Sequence, residues 1–387
     1  MRSLAAAGLF WIWSGVVFAA PPAEVVVQGL YEGTWRDAAG SAEAEVRVVA
    51  MGKGSFRMLA RRQLAGKIVR AEIDGTTEKD AVTFVGRVEG LEWKAAWADG
   101  AIRGTIGTDG SLDIRRVRRK PPTLGKKPPP DAVVLLDGKN FDNLVGRGKT
   151  GRLYLTDASK DGLPVWEVRL EFTEPREPPV LPSKENPLPP GWEIVPGLER
   201  GNRWNGIGED GSIQVPTGTG MESKQAFPGG FDAHVEFLCT LRATGRGQGR
   251  GNSGVYLPNG QEIQILDSFG SVTYFGGGCG GIYGKKDPDT MEPIPSLQGV
   301  KENSFTLASL PPDEWQTFDF EFRVKKGESR VKKGEKDAGQ GLLTVYHNGI
   351  KIHDTVETRV GSGRWYFQHH GDPVRFRNIW VLPIGDP

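Results

Sequence analysis

Cysteine is scarce in this chain: Cys239 and Cys279 are the only two among 387 residues. So few thiols exclude a disulfide scaffold, and the run H-V-E-F-L-C-T-L around Cys239 suits a buried free thiol as well as a single bridge to Cys279. Histidine is scarce too, and the five present lack the spacings of a zinc site. An excess of charge is also missing. With 49 Lys and Arg against 48 Asp and Glu the formal charge is +1, which excludes a general affinity for nucleic acid or anionic membranes. Apolar stripes of period 3.6 hardly occur, and beyond the first twenty residues no apolar run is long enough to span a membrane.

Turn formers are abundant: 54 Gly and 27 Pro favour many turns, hence many short strands. The one long apolar run, Leu4 to Ala20, follows Arg2 and precedes Pro21-Pro22. A charged start, a short apolar stretch and small residues up to Ala19 predict a secretory signal over residues 1–20, with an uncleaved anchor as the alternative. The mature chain is therefore expected outside the cytoplasm, secreted or periplasmic, without a membrane span.

Two β-rich blocks follow. Residues 24–119 hold alternating runs such as E-A-E-V-R-V-V-A, A-V-T-F-V-G-R-V and G-S-L-D-I-R-R-V, with Asp74-Gly75, Asp99-Gly100 and Asp109-Gly110 as turn signals. They predict a small antiparallel barrel or sandwich. Residues 120–131, K-P-P-T-L-G-K-K-P-P-P-D, have the composition of a stiff linker. Residues 132–385 alternate again, in A-H-V-E-F-L-C-T-L, S-G-V-Y-L, E-I-Q-I-L, T-F-D-F-E-F-R-V, L-L-T-V-Y-H and V-R-F-R-N-I-W-V, and His347-Asn348-Gly349 supplies a tight hairpin. Many strands without helices imply an all-β chain whose second block is a two-sheet jelly-roll sandwich. The stretches 146–191 and 276–312 lack clear periodicity and are expected as rim loops.

Within that block, N-G-Q-E-I-Q-I-L-D-S (Asn259–Ser268) places Glu262 and Gln264 on one face of a strand and Ile263 and Ile265 on the other. One face is core; the other is wet or functional. The blocks G-R-G-Q-G-R-G-N-S-G-V-Y-L, E-I-Q-I-L-D-S-F-G, C-G-G-I-Y, P-P-D-E-W-Q-T-F-D and Q-H-H-G-D-P-V-R-F-R-N-I, in this order, resemble the 3-keto-disaccharide hydrolase domain family across about residues 133–382. That resemblance implies a concanavalin-A-like jelly roll, export, and action on sugars oxidised at C3. The chain departs from the family pattern ahead of Pro311-Pro312, where relatives carry a Cys and this sequence has Asn303-Ser304-Phe305.

The fold so implied is shared with glucanases that present E-x-D-x-x-E on a strand, where this chain reads Glu262-x-Gln264-x-x-Asp267. Asp267 breaks strict alternation and joins Glu262 only if the strand bulges or ends near Leu266. A Gln between the acids argues against the glucanase mechanism. A 3-keto sugar needs other chemistry: its carbonyl acidifies the C2 hydrogen, a base removes it, the enolate expels the group at C1, and water adds. Glu262 and His370 are candidates for base and acid, with Asp267 as a further carboxylate, and Gln264 and Arg375 for enolate donors.

Each has a plainer reading. Glu262 could be a salt-bridged strand residue, Gln264 a polar residue on a wet face, Asp267 a turn cap, and His370 a partner of the Gly371-Asp372-Pro373 turn. Arg375 and Arg377 bind substrate oxygens or pair across the sheet. Asn252 contacts substrate or shapes its Gly-rich turn, and the glycines of 245–251 precede no helix that would make a phosphate loop. Tyr256 and Tyr283 are candidate sugar platforms, whereas Trp315 suits the core. No cofactor is expected; Asp287, Asp289 and Glu292 in one loop leave calcium open, short of an EF-hand ligand count. The alternative to an enzyme is a lectin-like carbohydrate-binding module, and a third reading makes both blocks surface spacers.

Overall fold

The computed structural model describes residues 24–79, 81–139, 141–146, 150–160, 163–173, 207–215, 220–270, 278–282, 308–325 and 339–385. The expected signal over 1–20, and Tyr283, Asp287, Asp289 and Glu292, lie outside the described residues. No helix among the described residues is long and apolar enough to cross a membrane.

Eight antiparallel strands close a barrel: β1 (Gly29–Asp37), β2 (Gly40–Gly52), β3 (Ser55–Leu64), β4 (Lys67–Glu78), β5 (Ala81–Val88), β6 (Leu91–Ala98), β7 (Ala101–Ile106) and β8 (Gly110–Val117), with β8 returning to β1. Alternation sets the interior. On β2, Val46, Val48 and Ala50 point inward, joined by Trp35, Phe56, Met58, Phe84 and Trp93. Trp35 and Trp93 meet edge to face at 4.8 Å, so the barrel is filled by side chains. Its hairpins close on pairs with positive φ: Lys53-Gly54, Ala65-Gly66, Glu89-Gly90 and Asp99-Gly100. Asp74-Gly75, expected as a turn, lies instead inside β4, where Gly75 leaves room for the Phe84 ring; a Cβ there would meet Phe84 Cδ1 at 2.5 Å.

The second block is a two-sheet sandwich. One sheet orders β10 (Leu144–Gly146), β14 (Met221–Ser223), β21 (Tyr366–Phe367), β16 (Ser253–Tyr256) and β17 (Glu262–Ile265). The other orders β13 (Ile213–Gln214), β22 (Arg375–Ile384), β15 (Gly230–Leu238), β18 (Gln316–Val324), β19 (Gln340–His347) and β20 (Ile350–Arg359), with β9 (Val133–Leu136) also on β22. Between them lie Phe237, Phe318, Phe320, Phe322 and Phe376 from the larger sheet and Met221, Val255, Ile263, Ile265 and Phe367 from the smaller. Asn348 and Gly349, with φ of 52° and 81°, make the expected β19–β20 hairpin. The stretch 146–191, expected as loop, contains an antiparallel ribbon of β11 (Thr150–Lys160) and β12 (Leu163–Thr173). Its alternation in V-W-E-V-R-L-E-F was masked by the flanking Pro- and Gly-rich sequence. Cys239 and Cys279 are both buried thiols, and no bridge joins them.

The Pro-rich segment 120–131, expected as a spacer, is a strap across the outer face of the larger sheet. Gly125 N–H donates to Glu236 at 2.5 Å, Thr123 and Lys126 reach Asp319 at 2.6 and 3.0 Å, and Asn378 and Trp380 donate to the Lys126 carbonyl. Beneath it His234 sits between Asp319, 2.9 Å from Nδ1, and Glu236, 3.4 Å from Nε2. Arg377 also pairs with Glu236 at 2.7 Å. Burial alone would lower the His234 pKa, but the two carboxylates outweigh it and raise it above 6.5. Burial likewise opposes ionisation of Glu236, yet bonds from His234, Asn378, Gly125 and Arg377 bring it to about 2; Asp319 is lowered by His234, Thr123 and Lys126 against the same burial cost.

A raised imidazole adds stability below 6.5 that is lost as pH climbs through its folded-state value, and a depressed carboxylate adds stability above 4.5 that is lost as pH falls towards about 2. The strap is therefore held best between those limits. Amide exchange at Gly125, corrected for intrinsic rate, is expected to be most protected near pH 5.5 (roughly, between the two reference values) and to weaken as pH rises above 6.5 through the folded-state value of His234. Uniform protection across that range would dismiss the His234 contribution.

Candidate functional site

The outer face of the smaller sheet is the wet face foreseen for Glu262. Register aligns four side chains in one row across it: Glu222 opposite Tyr366, Tyr366 opposite Tyr256, Tyr256 opposite Glu262. At the ordinary strand spacing this row spans about 14 Å. The Tyr256 and Tyr366 rings lie 5.3 Å apart and tilted by 49°. Two glycines keep the face low. Gly254, diagonal to Glu262, lies under its carboxylate, where a Cβ would collide with Oε1; Gly220, with φ +67°, lies under Tyr366, whose hydroxyl a Cβ would meet at 2.8 Å.

Glu262 is half-buried, and burial raises its carboxyl above the ordinary range, opposed in part by a hydrogen bond from Tyr256 and by the charge of His370. Gln368 Nε2 donates to Tyr256 Oη at 3.2 Å, so Gln368, Tyr256 and Glu262 form one chain of polar contacts. His370 is exposed on the turn after β21. That turn is anchored: Ser253 Oγ donates to the Gln368 carbonyl at 2.7 Å, and buried Asp372 accepts the Asn252 N–H at 2.7 Å and an ion pair from Arg242. His369 is half-buried, and burial followed by the neighbouring His370 charge lowers its pKa.

The structure thus brings Glu262, Tyr256 and His370 together. Gln264 is on the same face but only 2% exposed, its amide donating to Asn252 Oδ1 at 3.1 Å, so both residues brace the floor. Asp267 does not join them. β17 ends at Ile265, and Asp267 turns inward to Arg250 Nε at 2.7 Å with none of its side chain exposed. Arg375 and Arg377 belong to the outer face of the other sheet. Arg375 pairs with Asp210 at 2.6 Å, while Arg377 holds Glu236 and lies 4.0 Å over the half-buried Trp315 ring. Glu222, Arg364, Tyr366 and Gln368 escaped the sequence reading because only cross-strand register makes them neighbours of Glu262; Arg364 pairs with Glu222 at 3.1 Å. Among the described residues no three His, Cys, Asp or Glu side chains converge as a metal site would require.

Residues 187–382 match the 3-keto-alpha-glucoside-1,2-lyase-like domain family. The chain belongs to this family. That span includes the row from Glu222 to Glu262 together with His370. The match sets this chain in a sugar-processing domain family. No curated protein matches the sequence.

In this 3-keto-alpha-glucoside-1,2-lyase-like domain the seat of Glu262 depends on the missing Cβ at Gly254. Gly254→Ala is expected to displace the Glu262 carboxylate with little change in Tm, since the obstructing group is the end of a flexible side chain. A crystal structure of the variant with the Glu262 side chain unmoved would show that the seat does not depend on Gly254.

Proposed function

We propose that the protein is an exported enzyme that cleaves 3-keto glycosides by elimination across C1–C2 followed by hydration. The observation that supports this most is the half-buried Glu262 with a raised pKa, bonded to Tyr256 and within the field of His370, in a domain of this family. Glu262 takes the C2 proton; the electron pair forms the C2–C3 enolate and then the C1–C2 double bond as the C1–O bond breaks. His370 protonates the departing oxygen. Water then adds across the double bond, its hydroxyl at C1 and a proton at C2, so the sum is hydrolysis.

A carboxylate whose pKa is raised by burial is a stronger base than an exposed one. Since Gln264 is occupied, Arg375 is committed to the other sheet and the single Tyr256 O–H is given to Glu262, the enolate oxygen is met by the second N–H of the Gln368 amide. The tilted Tyr256 and Tyr366 rings give the sugar an apolar platform, with Glu222 and Arg364 at its far end.

The test uses 3-keto trehalose, 3-keto cellobiose and their unoxidised parents. Release of 3-keto-glucose from the oxidised pair alone is the expected result, with solvent deuterium entering C2. Binding of these sugars without any product would replace the enzyme by a lectin-like module.

A further inference from the structure

A second site, sharing no residue with the Glu262 row, lies where the barrel meets the sandwich. A cavity of 290 Å³ opens there, and no acidic side chain is among its described lining residues. Three cations line it: Arg47 from β2, and Arg119 and Lys120 after β8. Leu30, Phe269 and Ile350 supply apolar wall. Junctions between two folded bodies are common places for ligand pockets, and this volume is close to the lower end of their usual range, about 300 Å³.

Strand alternation explains the cations. Val46 and Val48 face the barrel interior, so Arg47 between them faces outward and is sealed by the sandwich, 1% exposed. Its guanidinium lies 5.3 Å from the Phe269 ring centre and reaches the Ser309 carbonyl at 3.4 Å and Glu45 at 3.5 Å, at the long end of hydrogen-bonding range. Arg119 pairs with Glu32 at 2.5 Å and Glu45 at 2.6 Å, beside Arg61 on Glu45 at 2.9 Å. Although burial alone would raise it, the Glu45 carboxyl is drawn down to about 2 by Arg47, Arg61 and Arg119, which reports a positive field at this wall. Lys120 is exposed at the mouth and has no ion-pair partner among the described residues.

We propose that this cavity binds a small carboxylate with an aromatic body, its ring against Leu30, Phe269 and Ile350 and its carboxylate between Arg47 and Lys120. A planar guanidinium already oriented by an aromatic ring suits a carboxylate fork, and a compact apolar wall favours a flat ring over a hydroxyl-rich sugar. The site is independent of the cleavage reading.

The test is calorimetric titration of the full chain with phenylacetate, with 2-phenylethanol as neutral counterpart and glucuronate and inorganic phosphate as anion controls. Phenylacetate is expected to bind with a submillimolar Kd, at least tenfold tighter than each of the others. Lys120→Glu, at an exposed position that leaves folding intact, is expected to weaken it at least fivefold, and Arg47→Met more, provided its circular dichroism matches the parent. No phenylacetate binding at 10 mM, equal binding of phosphate, or indifference to Lys120→Glu would each overturn the proposal.

Discussion

Glu262→Gln is expected to lower kcat on a 3-keto glucoside about a thousandfold, the middle of the range for losing a general base, while leaving KM within about threefold. Glutamine preserves the shape that sits over Gly254 and the partner of Tyr256, so the sugar still has its platform. What disappears is the group proposed to accept the C2 proton. The companion His370→Ala should lose about a hundredfold, and less on substrates whose leaving group departs readily, because protonation of the C1 oxygen then matters less. A Glu262→Gln enzyme that exchanges C2 hydrogen with deuterated solvent at the parental rate would transfer the proton abstraction to another residue.

The pH profile of kcat/KM follows from the same environment. Burial raises the Glu262 carboxyl, so the acid limb should stand above the value of an exposed glutamate. Removing the hydrogen bond with Tyr256→Phe should move that limb higher still, since this bond opposes the rise.

Much of this was readable before any coordinates. Strand alternation, Asp99-Gly100 and Asn348-Gly349 specify an all-β chain with tight hairpins, because Asn, Asp and Gly tolerate positive φ. Lys53-Gly54, Ala65-Gly66 and Glu89-Gly90 make equivalent turns with first residues that do not advertise them, and there the closing strands impose the conformation. Asp74-Gly75 shows the converse, a turn signal overridden by a ring that needs the space. At the site, Glu262 and His370 stood out in the sequence. The row that gives Glu262 its neighbours did not, since pairing of 222, 366, 256 and 262 is a property of strand order. Asp267 looked like a second site carboxylate because the residue that neutralises it, Arg250, belongs to a glycine-rich segment with no periodic pattern.

That pair underlies the largest stability effect. Arg250 is 2% exposed; it donates to Asp267 at 2.7 Å and to the carbonyls of Ala50 in the barrel and Ala243 in the sandwich at 3.1 and 3.2 Å. Arg250→Met leaves a sealed carboxylate without its counter-charge and two carbonyls without a donor. The expected cost is about 3–5 kcal/mol, read from urea unfolding. Arg250→Met with Asp267→Leu removes both charges and should recover most of that loss. If the single variant unfolds at the parental midpoint, the pair is not a stabilising element.

The seam that Arg250 crosses is broad. Phe269 packs with Leu30, Val49 and Leu59 of the barrel wall, Gly270 approaches Val49 so closely that a Cβ would meet it at 2.5 Å, and Leu241 and Ala243 cover the barrel interior. Evolution therefore cannot treat the small barrel as a detachable cassette: a descendant that lost it would have to repaint a hydrocarbon patch on its remaining half, and a gene fusion that borrowed the sandwich alone would inherit a sticky scar.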